Sequence, residues 1–321
     1  MSLEPYTTSF DAAAVRELRN LLPCRVFVLP DGPPGKVFVS LTASHRSVDH
    51  FIVQLVQGVL TLRTTHGHLT GQVLVQVHVD EAAWTATKIT NAGGGDLCMD
   101  GVARTAQGGH LCLVQDGRGG IYMKTPALSL TRFACHVSGG GAIQVDAGAL
   151  ALCSLDSTVS GHGNIAVYAE TVNTTYASSR VQGAGVINLG ARKAWHATSV
   201  QATVQGSGVV CFRGEGTCVV ATATVTGSGR IRTDALTAHE VDASVYGSGS
   251  ITTQAVHALR AKPVGPGSIY YTKMPPETCH GPCSHLHNPS SVIVPEAAPL
   301  PDRVPNAIDV DTSSTWECHV M

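Results

Sequence analysis

Hydrophobic and polar residues alternate along much of this chain, and beyond residue 90 the alternation recurs on a longer period marked by Gly-x-Gly. The first glycine of each pair falls at 93, 117, 139, 161, 183, 206, 227, 247 and 265, at spacings of 24, 22, 22, 22, 23, 21, 20 and 18 residues. The fullest copies read Val-x-Gly-x-Gly-x-Ile/Val, as in Val137 to Ile143, Val159 to Ile165, Val181 to Ile187, Val204 to Val210, Val225 to Ile231 and Val245 to Ile251. Strand side chains alternate faces, so the valine, both glycines and the closing Ile/Val share one side. Val145, Val167, Leu189 and Phe212 extend that apolar side, as do the small residues Ser157, Ala202, Ala223 and Ala243. The other side carries Ser160, His162, Asn164, Gln205, Ser207, Thr226, Ser228 and Arg230, and is polar.

A period of two nested in a period near 22 means that each repeat is several short strands that return to the same place one rung later. The expected fold is therefore all-β, a right-handed parallel β-helix of about 20–22 residues per rung, with like residues stacked in internal ladders. Gly139, Gly141, Gly161, Gly163, Gly183, Gly185, Gly206, Gly208, Gly227, Gly229, Gly247 and Gly249 form the structural repeat. They serve where the coil bends or where walls approach too closely for a Cβ. An antiparallel sandwich with Gly-rich hairpins is the competing architecture. It does not require the same inward residues in six consecutive units. A leucine-rich repeat would need a Leu ladder and an Asn at fixed offset, which the chain lacks.

Both ends of the repeat read differently. Residues 1–50 predict an N-terminal cap: a short amphipathic helix over Asp11 to Leu22, with Val15, Leu18, Leu21 and Leu22 on one face, then two strands. Residues 51–273 form the solenoid, its first rungs irregular. From 274 to 321 prolines recur at 275, 276, 282, 289, 295, 299, 301 and 305, and composition predicts a disordered tail.

Composition agrees with narrow stacked coils: 34 glycines, 5% aromatic and 14% charged residues among 321. A net charge of −2 gives no electrostatic footprint for nucleic acid. The first 22 residues lack a secretory or transit pattern, and no stretch approaches the ~20 apolar residues of a spanning helix. The expected setting is intracellular, either cytoplasmic or peripheral on the cytosolic face of a membrane. Cys98, Cys112, Cys135, Cys153, Cys211 and Cys218 are accordingly expected as reduced, small hydrophobes.

Two tail features carry chemistry. Cys279, Cys283, His285 and His287 are a candidate metal set, because thiolate and imidazole are the preferred ligands of tetrahedral zinc. The last four residues, Cys318-His319-Val320-Met321, match a Cys-a-a-X box, in which Cys318 would take a prenyl group. One lipid chain holds a protein only reversibly, and the acidic tail supplies no basic patch as a second signal.

Catalytic constellations are weak. Asp146, Asp156, Glu170, Asp234 and Asp242 fall at different offsets of the repeat, so they should not line one groove as a carbohydrate-active β-helix enzyme requires. Gly93-Gly94-Gly95-Asp96-Leu97 is a single imperfect likeness of a calcium nonapeptide. His239-Glu240 lacks the second His of a zincin, there is no phosphate-binding loop, and the Gly-x-Gly pairs lack the rest of a dinucleotide fingerprint.

Val159-Ser160-Gly161-His162-Gly163-Asn164-Ile165, Val225-Thr226-Gly227-Ser228-Gly229-Arg230-Ile231 and Val245-Tyr246-Gly247-Ser248-Gly249-Ser250-Ile251 resemble the repeats of the adhesin family also called the head GIN domain. The resemblance covers residues 90 to 270 and implies a β-helical fold with an adhesive or scaffolding role and no catalytic residues. The expected function is a non-enzymatic binding module whose polar face meets a protein or glycan. A bactofilin-like polymer joined through unpaired end rungs is the alternative. Replacing Cys318 by Ser is expected to move the chain from a membrane to a soluble fraction. Unchanged partitioning, or an intact mass with the last three residues retained and unmodified, rules the lipid out.

Overall fold

The structure, a computed structural model, describes residues 3–44, 49–65, 68–102, 109–286 and 295–311. The chain divides into two compact units, one built from residues 1–102, 116–123 and 299–321, the other from 103–115 and 124–298.

The second unit is the regular solenoid. Its strands are β10 (His110–Gln115), β11 (Gly120–Gly139), β12 (Ala142–Gly161), β13 (Asn164–Gly183), β14 (Val186–Gly206), β15 (Val209–Arg213), β16 (Gly216–Gly227), β17 (Arg230–Arg232), β18 (Leu236–Gly247), β19 (Ser250–Thr253), β20 (Ala255–Val264), β21 (Ser268–Tyr271), β22 (Thr278–His280) and β23 (Ser284–His285). From β12 to β23 successive rungs pair in parallel, and their register is the repeat spacing. Val159 stands on Val181, Val181 on Val204, Val204 on Val225 and Val225 on Val245. Ile143, Ile165, Ile187, Val210, Ile231, Ile251 and Ile269 form a second ladder. Both ladders are fully buried. Where one extra residue enters after Ala169/Ala191, the register shifts. Trp195, wholly buried, takes up the added width with its ring edge-on to Phe212, centroids 5.5 Å apart.

The two glycines of each pair do different work. The first ends its strand with a positive φ, +116° at Gly161, that an L side chain rarely adopts. The second sits inside: a Cβ on Gly185 would lie 2.6 Å from the carbonyl oxygen of Gly163, one rung away. The expectation that both point inward therefore holds fully for the second, which is buried, while the part-exposed first forms the turn.

The other unit begins with β1 (Leu3–Asp11), β2 (Glu17–Asn20), β3 (Val26–Leu29), β4 (Lys36–Ser44), β5 (Phe51–Val56), β6 (Val59–Thr64), β7 (His68–Val79), β8 (Lys88–Asn91) and β9 (Leu97–Asp100). Here the order in space departs from the order in sequence. β2 lies between β6 and β8, and β3 between β7 and β9, all parallel. β5 then covers β6, and β4 covers β7, both antiparallel, with β1 outside β4. Such pairing supplies partners to edge groups that would otherwise template aggregation.

The cap helix over Asp11 to Leu22 is not formed. A single 3-10 turn, Ala12–Ala14, is closed by the Asp11 carboxylate accepting from the Ala13 N–H at 3.0 Å, and the chain is extended again by Val15. From Glu17 burial alternates, with Leu18 and Asn20 inside. Two parallel neighbours saturate this strand, and that tertiary gain overrides a weak helical preference. The misleading residue is Asn20, polar yet completely buried. Its Nδ2 donates to Asn91 Oδ1 at 2.8 Å, its Oδ1 accepts from the Leu22 N–H, and Asn91 Nδ2 donates to the carbonyls of Gly95 and Gly120. This two-rung asparagine ladder satisfies the buried amides that bend the coil.

The tail is also more ordered than its composition implies. β22 and β23 continue the solenoid on β20 and β21. A final strand, β24 (Asn306–Asp311), pairs antiparallel with β7. The prolines stop at 305, and the alternating Asn-Ala-Ile-Asp-Val-Asp that follows buries Ile308 to 7% exposure. Averaged composition hid a six-residue strand.

The substitution Gly185→Ala is expected to cost about 1–3 kcal/mol, the usual range for forcing atoms into a packed interior. Gly140→Ala, where an added Cβ meets nothing within 4 Å, should leave the thermal midpoint unchanged. Equal melting temperatures for the two variants would contradict the assigned role of the second glycine.

Candidate functional site: a neutral trough along the solenoid

In β11 to β14 each strand turns a corner part-way along. Pairing runs to Leu152 on Thr174, then resumes at Ser154 on Tyr176, and Cys153 and Thr175 stand at the bend between. At this corner the side chains one residue to either side of Leu152 and Thr174 project outward, and Leu152 and Thr174 between them are set back. One ridge is Ser129, Ala151, Asn173 and His196; the other is Thr131, Cys153, Thr175 and Thr198; the floor is Leu130, Leu152, Thr174 and Ala197. Stacking four such corners produces a trough of about 540 Å³ along the solenoid axis.

Its chemistry is hydroxyl, amide and imidazole over a partly apolar floor, with no carboxylate, ammonium or guanidinium in the lining. Thr174 Oγ1 donates to the Tyr176 carbonyl at 3.0 Å, fixing the floor, and the Tyr176 hydroxyl in turn donates to Gln201 Oε1. His196 Nδ1 lies 3.2 Å from Thr217 Oγ1 on the next rung.

The acids singled out in the sequence lie elsewhere, and each is engaged by a base. Arg132 holds Asp156 at 2.8 Å, Arg192 holds Asp146 at 2.9 Å and Glu170 at 3.6 Å, Lys193 holds Glu170 at 3.2 Å, Arg232 holds Asp234 at 2.8 Å and Arg260 holds Asp242 at 3.1 Å. Asp96 of the Gly93–Gly95 loop accepts from the Gly120 N–H at 2.9 Å, and a Cβ on Gly93 or Gly95 would run into the backbone of Leu22 or Cys24. That loop is architectural.

Of the candidate metal set, the sulfurs of Cys279 and Cys283 lie against each other. The His285 Nε2 lies 3.2 Å from the Lys273 carbonyl and its ring packs on Tyr271. His287 lies outside the described residues, as does Cys318. Among the described residues no three His, Cys, Asp or Glu side chains gather to hold a metal ion, and no helix is long and apolar enough to cross a membrane.

Cys98, Cys135, Cys211 and Cys218 are buried small hydrophobes with free thiols, as expected. Cys153 is not: it stands exposed on the trough ridge. Sequence reasoning placed the functional face on the polar positions around the glycines, and missed this corner. The columns were present, since 131, 153, 175 and 198 follow the same 22, 22 and 23 spacing as the glycines, but periodicity alone does not show which column is concave.

A family model described as "Putative auto-transporter adhesin, head GIN domain" matches residues 35–215 and again 193–275. The chain belongs to this family. Among solved structures, a "putative adhesin" from Parabacteroides merdae ATCC 43184 aligns with a TM-score of 0.56 at 15% identity, over 85% of this chain and 97% of that one. A "putative lipid binding protein" from Parabacteroides distasonis ATCC 8503 aligns at 0.48 and 15%, over 88% and 97%. A second "putative adhesin", from the same P. distasonis strain, aligns at 0.44 and 16%, over 88% and 96%. At these identities the likeness shows the fold alone. No curated protein matches the chain in sequence.

Burial pushes the thiols of Cys24 and Cys98 up to about 12 and that of Cys218 up to about 11, and it raises Cys135 and Cys211 in the same direction. At pH 8 only about one Cys24 thiol in ten thousand is then the reactive thiolate. In the folded protein a maleimide is expected to label Cys153 first and to leave Cys24, Cys98, Cys135 and Cys218 unmodified until denaturant is added. Peptide mapping by mass spectrometry reads the order; labelling of the buried group at the rate of Cys153 would refute it.

Proposed function

We propose that the chain is a non-enzymatic, adhesin-like binding module, and that its trough holds an extended, uncharged partner, a glycan or a protein segment. The trough carries this reading: it is concave across four rungs, and its ridges offer hydroxyl, amide and imidazole groups while the charged side chains around it are spent in ion pairs. Glycosidase chemistry needs two carboxyl groups flanking the bond to be cleaved, and the lining contains none. Small ridge residues on a hydrogen-bonded scaffold lose little conformational entropy on contact, which favours binding through many weak polar contacts. In the same reading a prenyl group on Cys318 would tether the module to a membrane.

Filling the trough tests it. Thr175→Trp and Asn173→Arg add bulk or charge at the centre of the two ridges, on side chains that are exposed. Against panels of neutral oligosaccharides and uncharged extended peptides, the parent chain is expected to bind at least one class, with each variant losing at least about tenfold, or ~1.4 kcal/mol. Ser160→Arg, exposed but outside the lining, should bind as the parent does. Binding that is indifferent to both trough variants would place the partner elsewhere and end this reading.

A further inference from the structure

β24 is the last described strand of the chain, and its seat in the first unit shows what kind of segment fits there. It runs antiparallel to the first half of β7, with Asn306 opposite Val73, Ala307 opposite Gln72, Ile308 opposite Gly71 and Asp311 opposite His68. Ile308 is buried, whereas Ala307 and Asp309 are exposed. The position of the isoleucine follows from Gly71. That residue has φ +123° and no side chain, so its cross-strand partner must cover the face it leaves bare.

Several features make this seat exchangeable. One ladder of main-chain bonds and one buried isoleucine are gained, against the cost of ordering six residues, and these opposing contributions are comparable in size. The segment before β24 is held separately: in the second unit the Gln144 side chain grips the main chain of Ala298 on both sides, Nε2 donating to its carbonyl at 2.7 Å and Oε1 accepting from its N–H at 3.1 Å. The hinge between these two attachments is Pro299 to Pro305. It includes Pro301, and its three prolines favour an extended backbone and donate no hydrogen bond.

We propose that the edge of β7 is a strand-acceptor site, and that it takes β24 from a second copy of this chain as well as from its own. The segment that fits the site is carried by every copy, so exchange preserves each hydrogen bond and the Ile308 contact. The balance then depends on the density of neighbouring chains relative to the effective concentration of the tethered strand, on the order of millimolar for a short linker. Dilute protein keeps its own strand, and densely arrayed molecules link tail to edge. The partner is thus a short extended segment with an isoleucine at its centre and acidic alternate residues. This inference is independent of the trough.

Full-length chains carrying a cysteine at one side of the pairing test it. Gln72 and Ala307 stand directly opposite each other, within reach of a disulfide for cross-strand neighbours. The double variant Gln72→Cys/Ala307→Cys is expected to close an internal disulfide, which verifies the register. A mixture of the two single variants is expected to form a disulfide-linked heterodimer that rises steeply between about 10 µM and about 1 mM protein, above the baseline set by the parent chain's own cysteines. Adding Ile308→Asp to the Ala307→Cys chain should return it to that baseline, and excess peptide spanning Asn306 to Asp311 should compete. If the double variant closes but the mixture stays at baseline throughout, exchange is overturned. If the double variant does not close, the acceptor site itself is overturned.

Discussion

The stacking of each rung on an identical neighbour is the constraint on which the rest of this structure depends. Parallel strands about 4.8 Å apart leave no freedom to vary one rung without its neighbours. Side chains of similar size therefore stack, valine on valine and isoleucine on isoleucine or valine, because a large change of inward volume would open a gap or force a clash in the adjacent rungs. The same constraint explains the second glycine of each pair. At Gly185 the wall is formed by the Gly163 carbonyl of the previous rung, 2.6 Å from where a Cβ would be, so once one rung is drawn in this tightly the next must be too. Where the repeat lengthens after Ala169/Ala191, the cost is met locally by one large side chain, Trp195, rather than by a change in the ladders on either side.

Stacking also governs the surface. Outward residues in one column are brought to rung distance, so like charges would repel at each step, and oppositely charged pairs such as Arg192 with Asp146 and Glu170 form across rungs. At the corner through Cys153 the columns instead contain small neutral groups. A concave, uncharged strip follows, and the absence of charge is as much a property of the column as its shape. Function on such a scaffold is a matter of repetition, since each rung offers a similar contact and several modest contacts add along the axis.

How far the sequence could be read depended on whether a residue's neighbours were its own repeats. Val159, Val181 and Val204, or Ile165 and Ile187, could be placed inside because their columns recur at a fixed interval, and the family was recognisable from the same residues. Leu18 and Leu22 could not, because the strand that contains Leu18 and ends just before Leu22 is inserted between β6 and β8 out of sequence order, and nothing local distinguishes it from an amphipathic helix. Asn20 marks the difficulty: a buried asparagine is intelligible only with Asn91, 71 residues away, whose Oδ1 accepts from its amide. The trough was hidden for a different reason. Thr131, Cys153, Thr175 and Thr198 were visible as a column, but its concavity arises from the bend in the backbone, which alternation does not encode.

A molecule built by stacking always ends in a strand edge, and in the first unit the edges are covered in two ways. On the β6 and β7 coil the exposed side is covered by the antiparallel strands β5 and β4, and β1 lies outside β4. These strands are continuous with the coil and so form with it. The remaining stretch of β7 is covered by β24, which arrives from the far end of the chain through a proline-rich hinge. A cover that is local in sequence is committed once the coil folds. A cover supplied by a tether is an equilibrium, weighted by chain density and by the one isoleucine that fits over Gly71. The same need for edge pairing that makes the solenoid stable therefore leaves, at the edge of β7, a position at which pairing with another copy costs no bond.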